Sequence, residues 1–234
     1  MKRTFFSLAL LLAVATLTAQ TKMTAREAAV KIADRILAST TYEFKNTKTG
    51  EIYKSVKKLP LDMDVKVACK YNNWHYTNGV TNMALMELGD KLGDKKYEKY
   101  VLKNMNFVFN EGNLDFFRKQ YDEAFKRDGW NAVRKLSWHM IFRGKRLDDN
   151  GPMGASLIEL QLKYPNDSFL GYINETAEHL NYGEPRLVDG TIARIWPHVN
   201  TIWEDDAFMA ISFLARMKDA PATEQEIAEE PKTS

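Results

Sequence analysis

The feature that most constrains this chain is a succession of apolar patterns at helical spacing, each about a dozen residues long and each with its own start or stop signal. Thr24-Ala25-Arg26-Glu27 has the Thr-x-x-Glu spacing of a capping box and precedes Ala28, Ala29, Ile32, Ala33, Ile36 and Leu37. A second helix is expected over 79–93 through Val80, Met83, Ala84, Met86, Leu88 and Leu92, with Gly93 placed to take the left-handed conformation that ends it. A third, over 96–110, carries Tyr97, Tyr100, Val101, Met105, Phe107 and Val108. The same period returns over 152–164, where Pro165 stops it, over 169–180, and over 205–217 with Phe208, Met209, Ile211, Phe213 and Leu214.

The stretches between are less regular. Residues 39–72 are polar and contain Lys57-Lys58-Leu59-Pro60, which reads as a long connection or short irregular elements. Residues 111–150 mix aromatic and basic side chains and accommodate one or two helices. Residues 183–202, with two prolines, two glycines and alternating Val188, Ile192 and Ile195, read as an extended loop or a short hairpin. After Lys218 the composition turns to Ala, Pro, Thr and Glu, so residues 219–234 are expected to be a disordered tail. Helices of this length joined by short turns describe an all-α fold, a bundle or an α/α toroid, over residues 20–218.

Composition excludes several function classes. The formal net charge is only +2 and the two signs are interleaved, which argues against nucleic acid or an acidic membrane surface as the main partner. A single cysteine, Cys69, leaves no intrachain disulfide framework and no Cys-rich metal site, and is expected to be a small buried residue. Residues 1–19 have the layout of a secretory signal peptide: Met1-Lys2-Arg3, an apolar run from Phe5 to Leu17 too short for a membrane span, and a small-residue exit before Gln20. The mature protein is therefore expected to be exported, into a bacterial periplasm, without a membrane anchor.

Three loop-to-helix junctions concentrate polar and aromatic residues. They are Trp74-His75-Tyr76-Thr77-Asn78-Gly79, Leu147-Asp148-Asp149-Asn150-Gly151-Pro152-Met153-Gly154, and Trp203-Glu204-Asp205-Asp206-Ala207-Phe208-Met209. Acids at a helix start are favoured by capping and by the macrodipole whatever the function, so neither acidic pair is diagnostic alone. Their combination points further. In a toroid, alternate loop ends surround one cleft, and carboxylates beside aromatic platforms in a cleft are the equipment of glycan chemistry.

The same three segments resemble the unsaturated rhamnogalacturonyl and glucuronyl hydrolases. The resemblance rests on Trp74-His75-Tyr76-x-Asn78-Gly79-Val80, Leu147-Asp148-Asp149-x-Gly151-x-Met153-Gly154 and Thr201-x-Trp203-x-Asp205-Asp206-x-Phe208-Met209-x-x-x-Phe213-Leu214-Ala215-Arg216-Met217. It implies an (α/α)6 barrel acting without metal or organic cofactor on lyase-generated oligosaccharides whose non-reducing uronic acid carries a C4=C5 double bond. It implies hydration of that bond, with Asp205 as the acid-base residue and Asp149 as the partner carboxylate, Asp148 remaining the alternative. Tyr76 matches the tyrosine of the family's first motif and His198 its substrate-side histidine; Trp74, Asp148, Trp203 and Arg194 are further substrate-side candidates read from the residues themselves, Arg194 near Trp196 as a carboxylate binder. A catalytic carboxyl needs a raised pKa, which burial or a second acid would supply and a helix N-terminus would oppose, so the sign at Asp205 stays open.

The resemblance ends after about half of such a barrel. The expectation is an incomplete toroid with exposed apolar faces, self-association through them, and weak turnover. The alternatives to an enzyme of this class are a non-catalytic glycan-binding or scaffold remnant and an inverting hydrolase of saturated glycans on a similar toroid.

Overall fold

Helix α1, Ala25–Ser39, opens with the reciprocal capping the sequence announces: the Thr24 amide donates to Glu27 Oε2 at 2.8 Å and the Glu27 amide to Thr24 Oγ1 at 3.2 Å. The structure, a computed structural model, describes residues 23–143 and 147–220. The expected signal peptide lies outside these residues, as does the expected tail beyond Ala220. The chain divides into two units, Met1–Ala38 and Ser39–Ser234, and the second carries every element after α1.

The polar stretch after α1 is not a bare connection. It forms a three-stranded antiparallel sheet, β1 Phe44–Asn46, β2 Ile52–Tyr53 and β3 Val65–Val67, in the order β2-β1-β3 with Phe44 opposite both Tyr53 and Val67. The period-2 signal was present but very short: Phe44 and Asn46 are buried on either side of exposed Lys45. Asn46 turns the first hairpin by accepting the Lys48 and Thr49 amides on its side chain, and Gly50 takes φ 80°.

Helix α2, Tyr76–Leu92, ends at Gly93 with φ 66°, as its sequence implies. The three-residue link 93–95 sends α3, Lys96–Val108, back in the opposite sense. The mixed segment that follows is more helical than its pattern suggests. It forms α4, Glu111–Val133, interrupted by non-helical Asp128 and Gly129, then α5, His139–Arg143. Aromatic residues falling on all sides of this segment obscured its 3.6-residue period. Phe117 is one that faces inward, packing on Phe44 and Trp138 with ring centroids 5.8 and 4.7 Å apart. Helix α6, Leu147–Lys163, is followed by α7, Asp167–Glu178, a π-helical turn His179–Gly183, and α8, Glu204–Met217. The intervening segment has two isolated antiparallel bridges, Arg186 with Ile192 and Arg194 with Thr201.

Helix α6 is the axis of this arrangement. Met153, Ala155, Leu157, Ile158 and Leu160 are essentially inaccessible. Two neighbours approach it so closely that only glycine fits. A β-carbon on Gly79 of α2 would sit 2.5 Å from the Pro152 carbonyl carbon, and one on Gly151 would collide with the Met209 carbonyl of α8. Farther along, Gly154 lies against Phe213, Glu159 pairs with Arg216 at 2.6 Å, and Lys163 pairs with Asp90 of α2 at 3.6 Å. Early residues thus meet early residues and late meet late. Helices α2, α6 and α8 run parallel, side by side, while α3 and α7 return the chain. All three parallel helices start at one rim, which is where the three sequence junctions fall.

Candidate functional site

The rim is organised by Arg194. Its backbone is held twice, its amide donating to the Thr201 carbonyl at 2.8 Å and its carbonyl accepting from the Asn200 amide at 2.9 Å. The guanidinium forms a two-point fork on Asp206, Nε to Oδ2 and Nη2 to Oδ1, both at 2.6 Å. Nη2 also reaches both oxygens of Asp148, at 3.3 and 3.5 Å. The cation lies 4.0 Å from the ring centroid of Trp203. One side chain therefore ties the start of α6 to the start of α8.

Both acidic pairs belong to first helical turns; neither lies in a preceding loop, because α6 begins at Leu147 and carries Pro152 inside it. In each pair one acid is buried and one is accessible. Asp149 and Asp206 are 4% and 6% exposed, whereas Asp205 is open to solvent and Asp148 is intermediate. Burial holds the Asp148 carboxyl above the usual carboxylate range; Arg194 opposes this, and the negative charges of Asp206, Asp149 and Asp205 reinforce it. Asp205 acts electrostatically on both Asp148 and Arg194, so the two acidic starts form one charged cluster.

Beside the cluster is a cavity of about 350 Å³ walled by Asp148, Arg194, Asp206, Trp196, His179 and Glu184 among others. His179 and Glu184 pair at 2.8 Å across the π-helical turn. Gly183 fits there because any β-carbon would strike the His179 ring. No motif in the sequence marks His179.

Each residue singled out from sequence has a defined place. Asp205 and Trp203, the latter 42% exposed, stand at the rim on α8, and Asp148 and Arg194 line the cavity. Asp149 lies behind Asp148, within electrostatic reach of His139 and Tyr172. Tyr76, 38% exposed, begins α2 with its ring 4.4 Å from that of His75. His198 is exposed on the 194–201 loop, where its carbonyl accepts the Thr201 hydroxyl at 2.8 Å.

Two assignments need correction. Trp74 is not a platform for sugar: it is fully buried, its ring 4.7 Å from Tyr172, and its indole N–H donates to the Tyr172 hydroxyl at 3.1 Å. That hydroxyl in turn donates to Asn150 Oδ1 at 2.5 Å, so Trp74 anchors the start of α6 from within. Arg194 is not an uncommitted carboxylate binder, since its fork is already engaged by the protein's own Asp206. Among the described residues no cluster of His, Cys, Asp and Glu is placed to hold a metal ion, and no helix is long and apolar enough to cross a membrane.

The mainly helical fold delivers paired carboxylates and exposed indoles to one rim. Comparison with protein families matches residues 52–232, well over half of the chain, to Glycosyl Hydrolase Family 88. The chain belongs to this family, the unsaturated glucuronyl and rhamnogalacturonyl hydrolases that its three motifs resemble. A comparison with curated proteins found no match.

Proposed function

We propose that the protein hydrates the C4=C5 bond of a non-reducing unsaturated uronic acid on oligosaccharides left by polysaccharide lyases. The observation that carries this reading is the convergence of the α6 and α8 starts. It gathers four carboxyl groups and one guanidinium at one rim, with Asp148, Asp206 and Arg194 lining the cavity beside it, in a chain of this hydrolase family. Asp205, the accessible acid at the rim, donates a proton to C4 while water adds its hydroxyl to C5 and gives its remaining proton back to the Asp205 carboxylate. The C5 hemiketal then opens to a ketone, returning the ring oxygen to C1 as a hydroxyl. The C1 hemiacetal collapses to an aldehyde and releases the next sugar, with one water consumed overall.

The remaining groups surround this acid. Asp149, held in the buried layer behind the rim, is the partner carboxyl group of the pair. Arg194 neutralises Asp206 and part of the charge on Asp148, which prevents four acids from repelling one another at the same place. Trp203 and Tyr76 offer ring faces to the sugar. The signal-like start of the sequence supports export to the periplasm, and an amino terminus at Gln20 on purified exported protein would establish it.

The test is direct. Protein and lyase-generated oligosaccharide at comparable concentrations should lose the absorbance of the double bond. Asp205→Asn should slow this by roughly 10²–10⁴-fold, the usual worth of general acid-base help, with oligosaccharide binding retained. Binding without any loss of absorbance in the unsubstituted protein would favour the non-catalytic reading.

A further inference from the structure

The central cation of the rim is already committed. Arg194 is forked on Asp206 and reaches Asp148, and Asp149 and Asp205 add further negative charge. An anionic substrate meets repulsion there unless a second cation answers it. Arg143 is placed to do so. It ends α5, four residues before Leu147 opens α6, so the chain holds its backbone within roughly 14 Å of the rim. Its guanidinium lies 4.6 Å from the ring centroid of Trp130, and Nη1 meets the Met140 sulfur, a weak acceptor, at 3.7 Å. Among the described residues no carboxylate pairs with it.

Trp130 is 40% exposed. Helix α4 breaks at Asp128 and Gly129, and its last turn buries Ala132 and Val133 with Ala124 and Leu136, leaving Trp130 outside. Hydrogen bonds tie this flank to the start of α2. Ser137 Oγ accepts the Val67 amide at 3.0 Å, Asn73 Oδ1 accepts the Trp138 amide at 3.4 Å, and the Trp138 indole donates to the Asn72 carbonyl. Residues 72 and 73 lead directly to His75 and Tyr76 at the rim. Trp138 holds φ 55°, which a bulky residue rarely adopts, and its full burial against Phe117 and Phe107 keeps it there. That conformation sets the direction in which His139 to Arg143 leave. The His139 ring stands 5.6 Å from Trp130, and both His75 and Asp149 act on it electrostatically.

We propose that Trp130 and Arg143 form a distal subsite for an acidic sugar residue of the same oligosaccharide, beyond the bond that is broken. The exposed part of the indole takes the apolar face of that sugar, and the guanidinium takes its C6 carboxylate. The proposal rests on the uronyl substrate argued above. A lyase eliminates only where a carboxyl group acidifies the neighbouring C5 proton, so each uncut link of a longer product retains a uronate. Such a residue is what a tetrasaccharide offers and a disaccharide lacks.

Calorimetric titration of the full chain carrying Asp205→Asn, so that ligand is not consumed, tests this with lyase-generated unsaturated di- and tetrasaccharides. The tetrasaccharide should bind about tenfold more tightly, and Arg143→Ala should remove that advantage while disaccharide affinity stays within about twofold. Trp130→Ala should weaken the tetrasaccharide roughly fivefold. A tetrasaccharide whose carboxyl groups have been reduced to alcohols should bind alike with and without Arg143→Ala. Equal affinity for the two lengths would overturn the subsite alone. So would an Arg143→Ala loss shared equally by both sugars, since a role in the fold or at the unsaturated ring gives that result. Binding of neither sugar would overturn the substrate reading together with the subsite. The expected length dependence with no loss of the double bond in the unsubstituted protein would uphold the subsite and overturn the hydration reading.

Discussion

Arg194 and Asp206 form a two-point ion pair, both contacts at 2.6 Å, between side chains that are 18% and 8% exposed. The geometry demands the planar guanidinium, because an ammonium offers one point of charge and no fork. Arg194→Ala would leave Asp206 nearly buried and unpaired, and the expected loss of stability is about 3 kcal/mol by chemical denaturation. Arg194→Lys should recover less than half of that. If the lysine variant matches the parent, the fork contributes nothing and a single charge suffices.

Glycine spacing in and around α6 makes a second expectation. Gly151→Ala meets the Met209 carbonyl, which is backbone and does not yield as a side chain end would. The α6–α8 contact must open, at a cost of roughly 3 kcal/mol or more. Gly171, by contrast, sits within α7 with open space around the added carbon. Gly171→Ala should raise stability by about 0.5–1 kcal/mol through helix propensity alone. Melting temperatures of the two variants should therefore move in opposite directions.

A third expectation concerns pH. Glu98 is buried at the far end of α2 and α6, where Lys163 Nζ at 2.5 Å and the Tyr164 hydroxyl at 2.6 Å hold its carboxyl below the usual range. A lowered native pKa means that the unfolded chain binds more protons in the window between the two values, so stability falls as pH falls through it. The advantage of the parent over Glu98→Gln should be full above about pH 5 and disappear as pH drops below the ordinary glutamate value near 4.5. Lys163 is partly exposed, which limits that advantage to about 1–2 kcal/mol. A stability difference independent of pH would mean that the glutamate charge plays no part.

Much of this was legible in the residues, and unevenly so. The ends of α1 and α2 were readable because Thr24, Glu27 and Gly93 act locally, through their own backbone and side chains. The sheet of residues 44–67 was not, since strands of two and three residues carry too little alternation to register. Helix α4 was hidden by aromatic side chains on every face. At the rim, the motifs brought Asp148, Asp149, Asp205 and Trp203 to attention as residue types. They could not separate buried Asp149 from accessible Asp205, because that depends on which way a first turn faces its neighbour. Trp74 shows the same limit: an indole beside a polar motif reads as a platform until Tyr172, 98 residues away, is found bonded to it.

The proposed reaction protonates C4 and hydrates C5 without attack on the anomeric carbon. Turnover of a lyase-generated oligosaccharide in deuterium oxide, followed by mass spectrometry and proton resonance of the uronate product, tests it most directly. The predicted product carries one solvent deuterium bonded to C4, has lost the double bond, and fails to form with Asp205→Asn. Release of the neighbouring sugar with the C4=C5 bond intact and no deuterium at C4 would contradict the account.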